Sequence, residues 1–327
     1  MEAAARRLNG VAVETPLLED PLLSRAAGRR VLVKAECLQR TGSFKIRGAW
    51  ARLSAEPPER LAAGVLAVSS GNHAQAVAYA SARLGARARI VMPADAPAMK
   101  RDAAAAYGAE LVFYDRAGQD RDAALERLRA GDRGEAAVFA HPFDDPLVIA
   151  GQAGVGRELA RQARALGATR AEVLVCAGGG GLASGVALAL EAAGADGLRV
   201  RPVEPDGFDD WRRSLAAGAR QTNPRAHGSI CDAILTPTPG AMTWRIGRRL
   251  FGGGLAVSDD EAAAAMAAAA RRLKLVVEPG GAVALAAALF RGAELDPAAD
   301  AVIAVATGGN VDPETHARLI AAAPTAP

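Results

Sequence analysis

Aromatic residues are scarce: Phe, Trp and Tyr together make up 4 % of the 327 residues. A nucleic-acid surface that interleaves rings with basic side chains is therefore hard to build, and a net charge of only +3 gives no basic excess to drive one. Cysteine is nearly missing. Cys37, Cys176 and Cys231 are odd in number and far apart, with no CxxC spacing. That excludes a disulfide framework and a cysteine zinc site, and it fits a reducing compartment. Membrane-length apolar runs are missing as well. Ala262–Ala270 is apolar, but it is rich in alanine and closed off by Asp259, Asp260 and Glu261 before it and Arg271 and Arg272 after it. It falls well short of the roughly 20 residues that cross a bilayer. Met1–Arg7 lacks the apolar core of a secretory leader. The expectation is a cytoplasmic protein with no membrane or nucleic-acid partner.

What is present is an ordinary globular balance, with half the residues hydrophobic and 23 % charged. The length is enough for a sizeable core and suggests two lobes. Short β-branched runs at Val31–Val33, Val65–Val68, Ala88–Met92, Leu111–Phe113, Val138–Phe139, Val173–Cys176, Val200–Val203 and Ala301–Val305 read as buried strands. They are continuous rather than alternating, as in parallel sheets covered on both faces. Helical patterns fall between them, at Asn72–Leu84, Ala98–Tyr107, Arg121–Ala130, Pro146–Ala165, Leu182–Ala192, Asp259–Leu273 and Gly281–Phe290. This βαβα order predicts an α/β fold with parallel twisted sheets covered by helices. Ala216–Gly240 is rich in turn formers and reads as a loop region.

Four segments carry chemistry. Thr41-Gly42-Ser43-Phe44-Lys45-Ile46-Arg47-Gly48-Ala49 places one lysine after a turn and at the start of a helix, with Ser43 as the expected N-cap and Phe44 and Ile46 as burying neighbours. A free lysine, with a pKa of about 10.4, is almost wholly protonated at neutral pH. It becomes a useful amine when desolvated or joined to an aldehyde. Gly178–Gly181 follows a strand and precedes the helix beginning at Leu182. Bare backbone at a helix start suits a tetrahedral anion, and four glycines exceed what a tight turn needs. The run lacks the Lys-Ser/Thr ending of a nucleotide loop and the GxGxxG pattern of a dinucleotide fold. Ser69-Ser70-Gly71-Asn72-His73 also lies between a strand and a helix and suits a carboxylate; plain helix capping is the alternative. Thr307 follows the last strand within Thr307-Gly308-Gly309-Asn310-Val311-Asp312, with a capping threonine as the alternative.

In this order and spacing the segments resemble the fold-type II pyridoxal-phosphate (PLP) enzymes, in the branch of threonine/serine dehydratases and serine racemases. The resemblance runs from about Thr15 to Asp312. It implies the two-lobed fold of the tryptophan synthase β-subunit, with residues 1–50 and 142–327 as a large PLP-binding domain and 51–141 as a small substrate-side domain. Lys45 would bind the PLP aldehyde covalently, with Phe44 beside it. Gly178, Gly179, Gly180, Gly181 and Leu182 would hold the phosphate. Asn72 would bond the 3′-oxygen, Glu278 would lie near the ring, and Thr307 would face the pyridine nitrogen. Ser69, Ser70, Gly71, Asn72 and His73 would hold the substrate carboxylate. Ser70 would stand opposite Lys45 as a second catalytic group, whereas His73 packs or orients the loop. In the racemase-like branch, Glu204, the carbonyl of Phe208 and Asp210 match a site for Mg²⁺ or another divalent cation, and a solvated acidic loop is the alternative. Arg121 aligns with a substrate-facing arginine but reads better as a surface residue.

The implied activity is β-elimination from serine- or threonine-like β-hydroxy amino acids, giving a 2-oxo acid and ammonia. An amino-acid racemase, a 3-hydroxyaspartate dehydratase and a catalytically idle binding protein are the alternatives. The family is commonly dimeric or larger, so a homo-oligomer is expected, and its regulatory extension is expected to be absent. Two positions depart from the usual pattern: Thr307 stands where serine or cysteine is common, and Ala76 where many relatives have glycine. Cysteine- and threonine-synthase motifs fit less well, because Lys45 is followed by Ile46-Arg47.

Overall fold

The structure is a computed structural model, and it describes residues 1–115, 121–130 and 136–324. Among the described residues ten strands form two sheets: β1 Leu17–Glu19, β2 Val31–Ala35, β3 Val65–Val68, β4 Ala88–Pro93, β5 Glu110–Tyr114, β6 Val138–Phe139, β7 Ala171–Cys176, β8 Leu198–Pro205, β9 Leu255–Val257 and β10 Ala301–Ala306. The larger sheet has the order β1-β2-β10-β7-β8-β9 and is parallel except for β1. The smaller sheet, β5-β4-β3-β6, is parallel throughout. All eight expected strands form. The two unexpected ones, β1 and β9, are three residues long, too short to show a period.

β10 lies at the centre of the larger sheet. Ile303 pairs with Leu32 on one side and with Val173 on the other. Every residue of β2, β7 and β10 is buried, so these strands read as mostly apolar runs, with Lys34 in β2 and Glu172 in β7 as buried charges. One face packs on the helix Pro279–Phe290, through Val283, Leu285 and Ala286. The other packs on the helices Pro146–Ala165 and Gly181–Ala192, through Val155, Leu159 and Val186. The smaller sheet has its own core, which includes Val65, Ile90 and Met92. The helix Lys45–Leu53 joins that core through Ile46, Ala49 and Leu53. The expected helix Asp259–Leu273 is α-helical over Asp259–Ala268, where Ser258 and Glu261 form a capping box, and continues as a π-turn over Ala269–Leu273.

One expectation at the lysine segment fails. Ser43 does not cap the helix. It is extended, bridges Gly308, and leaves Phe44 as the N-cap without a side-chain cap bond. The helix is anchored instead by Arg47. Its guanidinium grips Glu36 at 2.8 and 2.9 Å and Glu158 at 2.7 and 3.0 Å. Lys34 completes the cluster with bonds to Glu158 at 2.6 Å and to the Thr15 carbonyl at 2.7 Å. Two cations thus balance two carboxylates in the interior, one turn from Lys45.

Three loops that carry chemistry leave the C-terminal ends of parallel strands: Ser69–His73 after β3, the glycine run after β7 and Thr307 after β10. Such ends are where open parallel sheets place ligands. Among the described residues, no helix is long and apolar enough to cross a membrane.

Candidate active site

A cavity of about 740 Å³ opens between the two sheets. Its lining includes Phe44 and Lys45, all of Ser69–His73, Gly178–Leu182, Glu278 and Thr307. Every cofactor and substrate residue expected from the sequence is therefore gathered at one place, from segments spread along most of the chain.

Lys45 sits at the start of its helix, where its ammonium donates to the Pro142 carbonyl at 3.0 Å and lies 5.0 Å from the centroid of the Phe44 ring. Burial pushes its pKa down to about 8, against the opposing pull of the Glu278 charge. The neutral amine is thus far more accessible than in a surface lysine. His73 is lowered to about 3, first by burial and then by Lys45. Its Nε2 bonds the Ala140 carbonyl at 2.8 Å. A neutral, tethered imidazole orients the loop and is ill suited to carry protons.

The glycine run is held from behind. Trp211 Nε1 donates to the Gly178 carbonyl at 2.7 Å, and Thr243 Oγ1 donates to the Gly179 carbonyl at 2.6 Å. With these carbonyls occupied, the first-turn N–H groups of the helix Gly181–Ala192, which have no partner within the helix, remain for a ligand. Gly180 has φ +88°, and a side chain there would run into the Trp211 ring; one at Gly179 would run into Phe143. The glycines therefore serve close packing, and the free N–H groups at the helix start suit an anion.

At the other end of the cavity, Asn72 is fixed on both sides. Its Nδ2 donates to Glu278 Oε1, and its Oδ1 accepts from Asn310 Nδ2 at 2.8 Å. The capping alternative does not hold for this loop, since the N-cap of the helix Asn72–Arg83 is Gly71 and no side chain caps it. Ser69 Oγ accepts from Gly71 N at 3.1 Å, and Ser70 lines the cavity beside it. Glu278 does stand at a helix entry, but its carboxylate turns to Asn72 and, at 3.0 Å, to Lys100. Thr307 lies beyond the end of β10 rather than at a helix start, and its hydroxyl is bonded to Cys176, whose thiol burial raises to about 11.

Residues 9–308 match the family described as pyridoxal-phosphate dependent enzyme. The chain belongs to that family. The cofactor is PLP. The L-threo-3-hydroxyaspartate ammonia-lyase of a Pseudomonas species is 40 % identical over 97 % of this chain and 96 % of its own. A crystal structure of threonine deaminase from T.th. superposes with a TM-score of 0.82 at 40 % identity, covering 95 % of this chain and 97 % of that one. Maize serine racemase superposes with a TM-score of 0.88 at 32 % identity, covering 97 % and 94 %.

For this PLP enzyme the residues fit the cofactor on structural grounds. The Lys45 amine stands in the same cavity as a glycine run so closely backed by Phe143 and Trp211 that no side chain fits at Gly179 or Gly180. Sequence reasoning missed the groups behind that run, Trp211, Thr243 and Phe143. It also missed Asp144, whose carboxylate caps the helix Ala241–Leu250 by accepting from Ala241, Met242 and Thr243 N–H groups at 2.9, 2.9 and 3.1 Å. A strand-to-helix glycine run signals the anion site, but nothing in it names its supports.

The expected cation residues sit apart from the cavity lining. Glu204 is in β8, and Asp210 opens the helix Asp210–Ala217. Glu204 accepts the Trp211 and Arg212 N–H groups, both at 2.9 Å, and so seats the helix that carries Trp211. Asp210 Oδ1 accepts from Asn223 at 2.6 Å, while its Oδ2 is buried without a partner. Burial and then the charge of Asp210 raise the Glu204 pKa; burial likewise raises Asp210 to about 7. Among the described residues no group of three or more His, Cys, Asp or Glu side chains could hold a metal ion. A cation here would need the Phe208 carbonyl as its third protein ligand. The Arg121 side chain lies outside the described residues.

Proposed function

We propose that this chain is a PLP-dependent ammonia-lyase that eliminates water from serine- or threonine-like β-hydroxy amino acids, releasing a 2-oxo acid and ammonia. The observation that carries the reading is the place of the Lys45 amine, donating to the Pro142 carbonyl inside the cavity shared by the glycine run and the Ser69–His73 loop. Bound PLP supplies an electron sink for the charge that develops at the substrate α-carbon.

The chain's own groups do the rest. Lys45 would be the attachment point, and its free amine would be the general base for the α-proton. Phe44 packs beside it, and Gly178–Gly181 with Leu182 cradle the phosphate. Asn72 donates to the ring oxygen and Glu278 orients Asn72. Thr307 would offer the pyridine nitrogen a neutral hydroxyl, a partner that would support a weaker electron sink than a carboxylate and so would suit elimination. Ser69, Ser70, Gly71, Asn72 and His73 form the seat of the substrate carboxylate, with Ser70 on the face opposite Lys45. Residues 51–141 act as the substrate-side domain, against a PLP-binding domain of 1–50 and 142–327. Glu204, the Phe208 carbonyl and Asp210 hold a divalent cation, which would neutralise two buried carboxyls and engage the orphaned Asp210 Oδ2. We take the working form to be a cytoplasmic homo-oligomer.

A β-carboxylate on the substrate, as in 3-hydroxyaspartate, is favoured by one feature of the cavity. Arg129 and Arg220 both line it; Arg129 lies 4.7 Å over the Phe139 ring and pairs with Glu126 at 2.7 Å, also on the lining, which a second substrate carboxylate would replace. The Pseudomonas relative acts on that substrate by its name. A panel of serine, threonine and both threo and erythro 3-hydroxyaspartates, assayed for 2-oxo acid and for the chirality of residual substrate, tests the reading. Ammonia and 2-oxo acid from at least one of them support it. Inverted substrate without 2-oxo acid would make the protein a racemase, and a protein inert to all of them would leave only binding.

A further inference from the structure

Lys100 is a buried lysine with three attachments. It lies on the helix Ala98–Ala106, which packs on the helix Asn72–Arg83 and on β5 of the smaller sheet, and only 2 % of its surface is exposed. Its ammonium is 3.0 Å from Glu278 Oε2 and 3.3 Å from Asp232 Oδ2, both on segments associated with the larger sheet. Its stem runs under the Ser69–His73 loop so closely that a Cβ at Gly71 would come within 2.8 Å of Lys100 Cδ. Burial alone would lower its pKa, but the Glu278 and Asp232 charges reverse that and raise it above the lysine range. Beside it, Met99 N donates to Asp312 at 3.2 Å, a second tie between the same two parts of the molecule.

The partners of Glu278 give this ion pair its reach. Glu278 Oε1 accepts from Asn72 Nδ2, Asn72 Oδ1 accepts from Asn310 Nδ2 at 2.8 Å, and Asn310 Nδ2 also donates to the Thr41 carbonyl at 2.9 Å. A carboxamide has one acceptor end and one donor end. The Asn72 amide turns its donor end to Glu278 Oε1 and its acceptor end to Asn310, so the place of the Glu278 carboxylate sets the plane of the amide, and a countercharge holds a carboxylate in place in this interior. Lys100 is that countercharge. Of the two N–H bonds of Asn72 Nδ2, one goes to Glu278, and the plane of the amide then sets the direction of the other.

We propose that Lys100 is a positioning residue: acting through Glu278 it fixes the Asn72 amide that meets PLP, and through its stem beneath Gly71 it sets the seat of the substrate carboxylate. This rests on the assignment of Asn72 and Ser69–His73 given above. Among the described residues Lys100 is the cation within ion-pair distance of Glu278, whose charge also reaches Lys45, so the direct pairing falls on Lys100.

A double-mutant cycle tests it, with PLP affinity and the visible absorption band of the bound cofactor read for wild type, K100M, E278Q and K100M/E278Q. K100M should weaken PLP binding about tenfold and move the band, because the stranded carboxylate turns Asn72. In the E278Q background the same change should cost less than about twofold, because there is no carboxylate left to strand. K100R keeps the charge, so it should hold PLP within about threefold of wild type with the band unmoved, while its bulk beneath Gly71 raises KM more than it lowers kcat. K100M with wild-type PLP affinity and band, or with an equal loss in both backgrounds, overturns the proposal. If K100M does not fold, K100R decides: a tenfold loss of PLP affinity there contradicts a role based on charge, and retained affinity with a raised KM supports it. A wild-type protein that takes up no PLP would sink the functional reading itself, which keeps the two failures apart.

Discussion

The backbone N–H of Phe44 donates to the carbonyl oxygen of Thr307 at 3.1 Å. This bond ties the residue just before Lys45 to the residue just after β10, and the bridge between Ser43 and Gly308 doubles it. The proposed attachment lysine and the hydroxyl proposed for the pyridine nitrogen are therefore set relative to each other by main chain. Thr307→Val keeps the β-branched shape and the backbone bond but removes the hydroxyl. It should weaken PLP binding about tenfold with little change in melting temperature, whereas Thr307→Ser should stay within about threefold of wild type. Titration of cofactor-free protein with PLP, followed by absorbance, measures both.

Lys45 gives a pH signature. Its pKa is lowered to about 8 from the usual lysine value, so the neutral amine becomes the major form above that pH. The rate at which cofactor-free protein takes up PLP covalently should rise with pH and level off above about 8, where a surface lysine would keep accelerating toward about 10.4. Stopped-flow absorbance across pH 6 to 10 follows it. A profile that keeps climbing through the whole range would place the amine in water.

Arg47 is two residues beyond Lys45 and holds two carboxylates in the interior. Arg47→Met strands Glu36, which is wholly buried, and should cost about 3–5 kcal/mol of unfolding free energy. Urea denaturation of the cofactor-free protein reads this directly. The same substitution should also slow covalent PLP uptake, because the helix that starts at Lys45 loses its anchor.

The proposed cation at Glu204 and Asp210 supports the glycine cradle indirectly, through the Trp211 that this helix carries. Added Mg²⁺ should raise the melting temperature of metal-free protein by a few degrees, corresponding to roughly 1–2 kcal/mol in a chain of this size. Chelator should reverse the shift. Glu204→Gln should abolish the response and weaken PLP retention.

Much of this was readable from residue types. The eight strands expected from the sequence announce themselves because a strand buried on both faces is mostly apolar, as in Val173–Cys176 and Ala301–Val305. Lys45, the glycine run and the Ser69–His73 loop are local segments whose neighbours state their chemistry. The central place of β10 was not readable, since its pairing with β2 and β7 joins residues from opposite ends of the chain. Nor were the buried charges. Lys34, Arg47 and Lys100 look like surface residues in the sequence, and only the fold brings Glu158, Glu36 and Glu278 against them. Ser43 shows the reverse error. It has the right type for an N-cap, but its bridge to Gly308 holds it extended and moves the helix start to Lys45.

The account's central claim is that Lys45, and no other amine, carries PLP in the cavity between the sheets. Borohydride reduction of the PLP-loaded protein, followed by proteolysis and mass spectrometry, tests it most directly. The account predicts a single pyridoxyl adduct on the peptide containing Lys45, lost in Lys45→Ala. An adduct on Lys34, Lys100 or Lys274 in its place, or unchanged labelling of the Lys45→Ala protein, would contradict it.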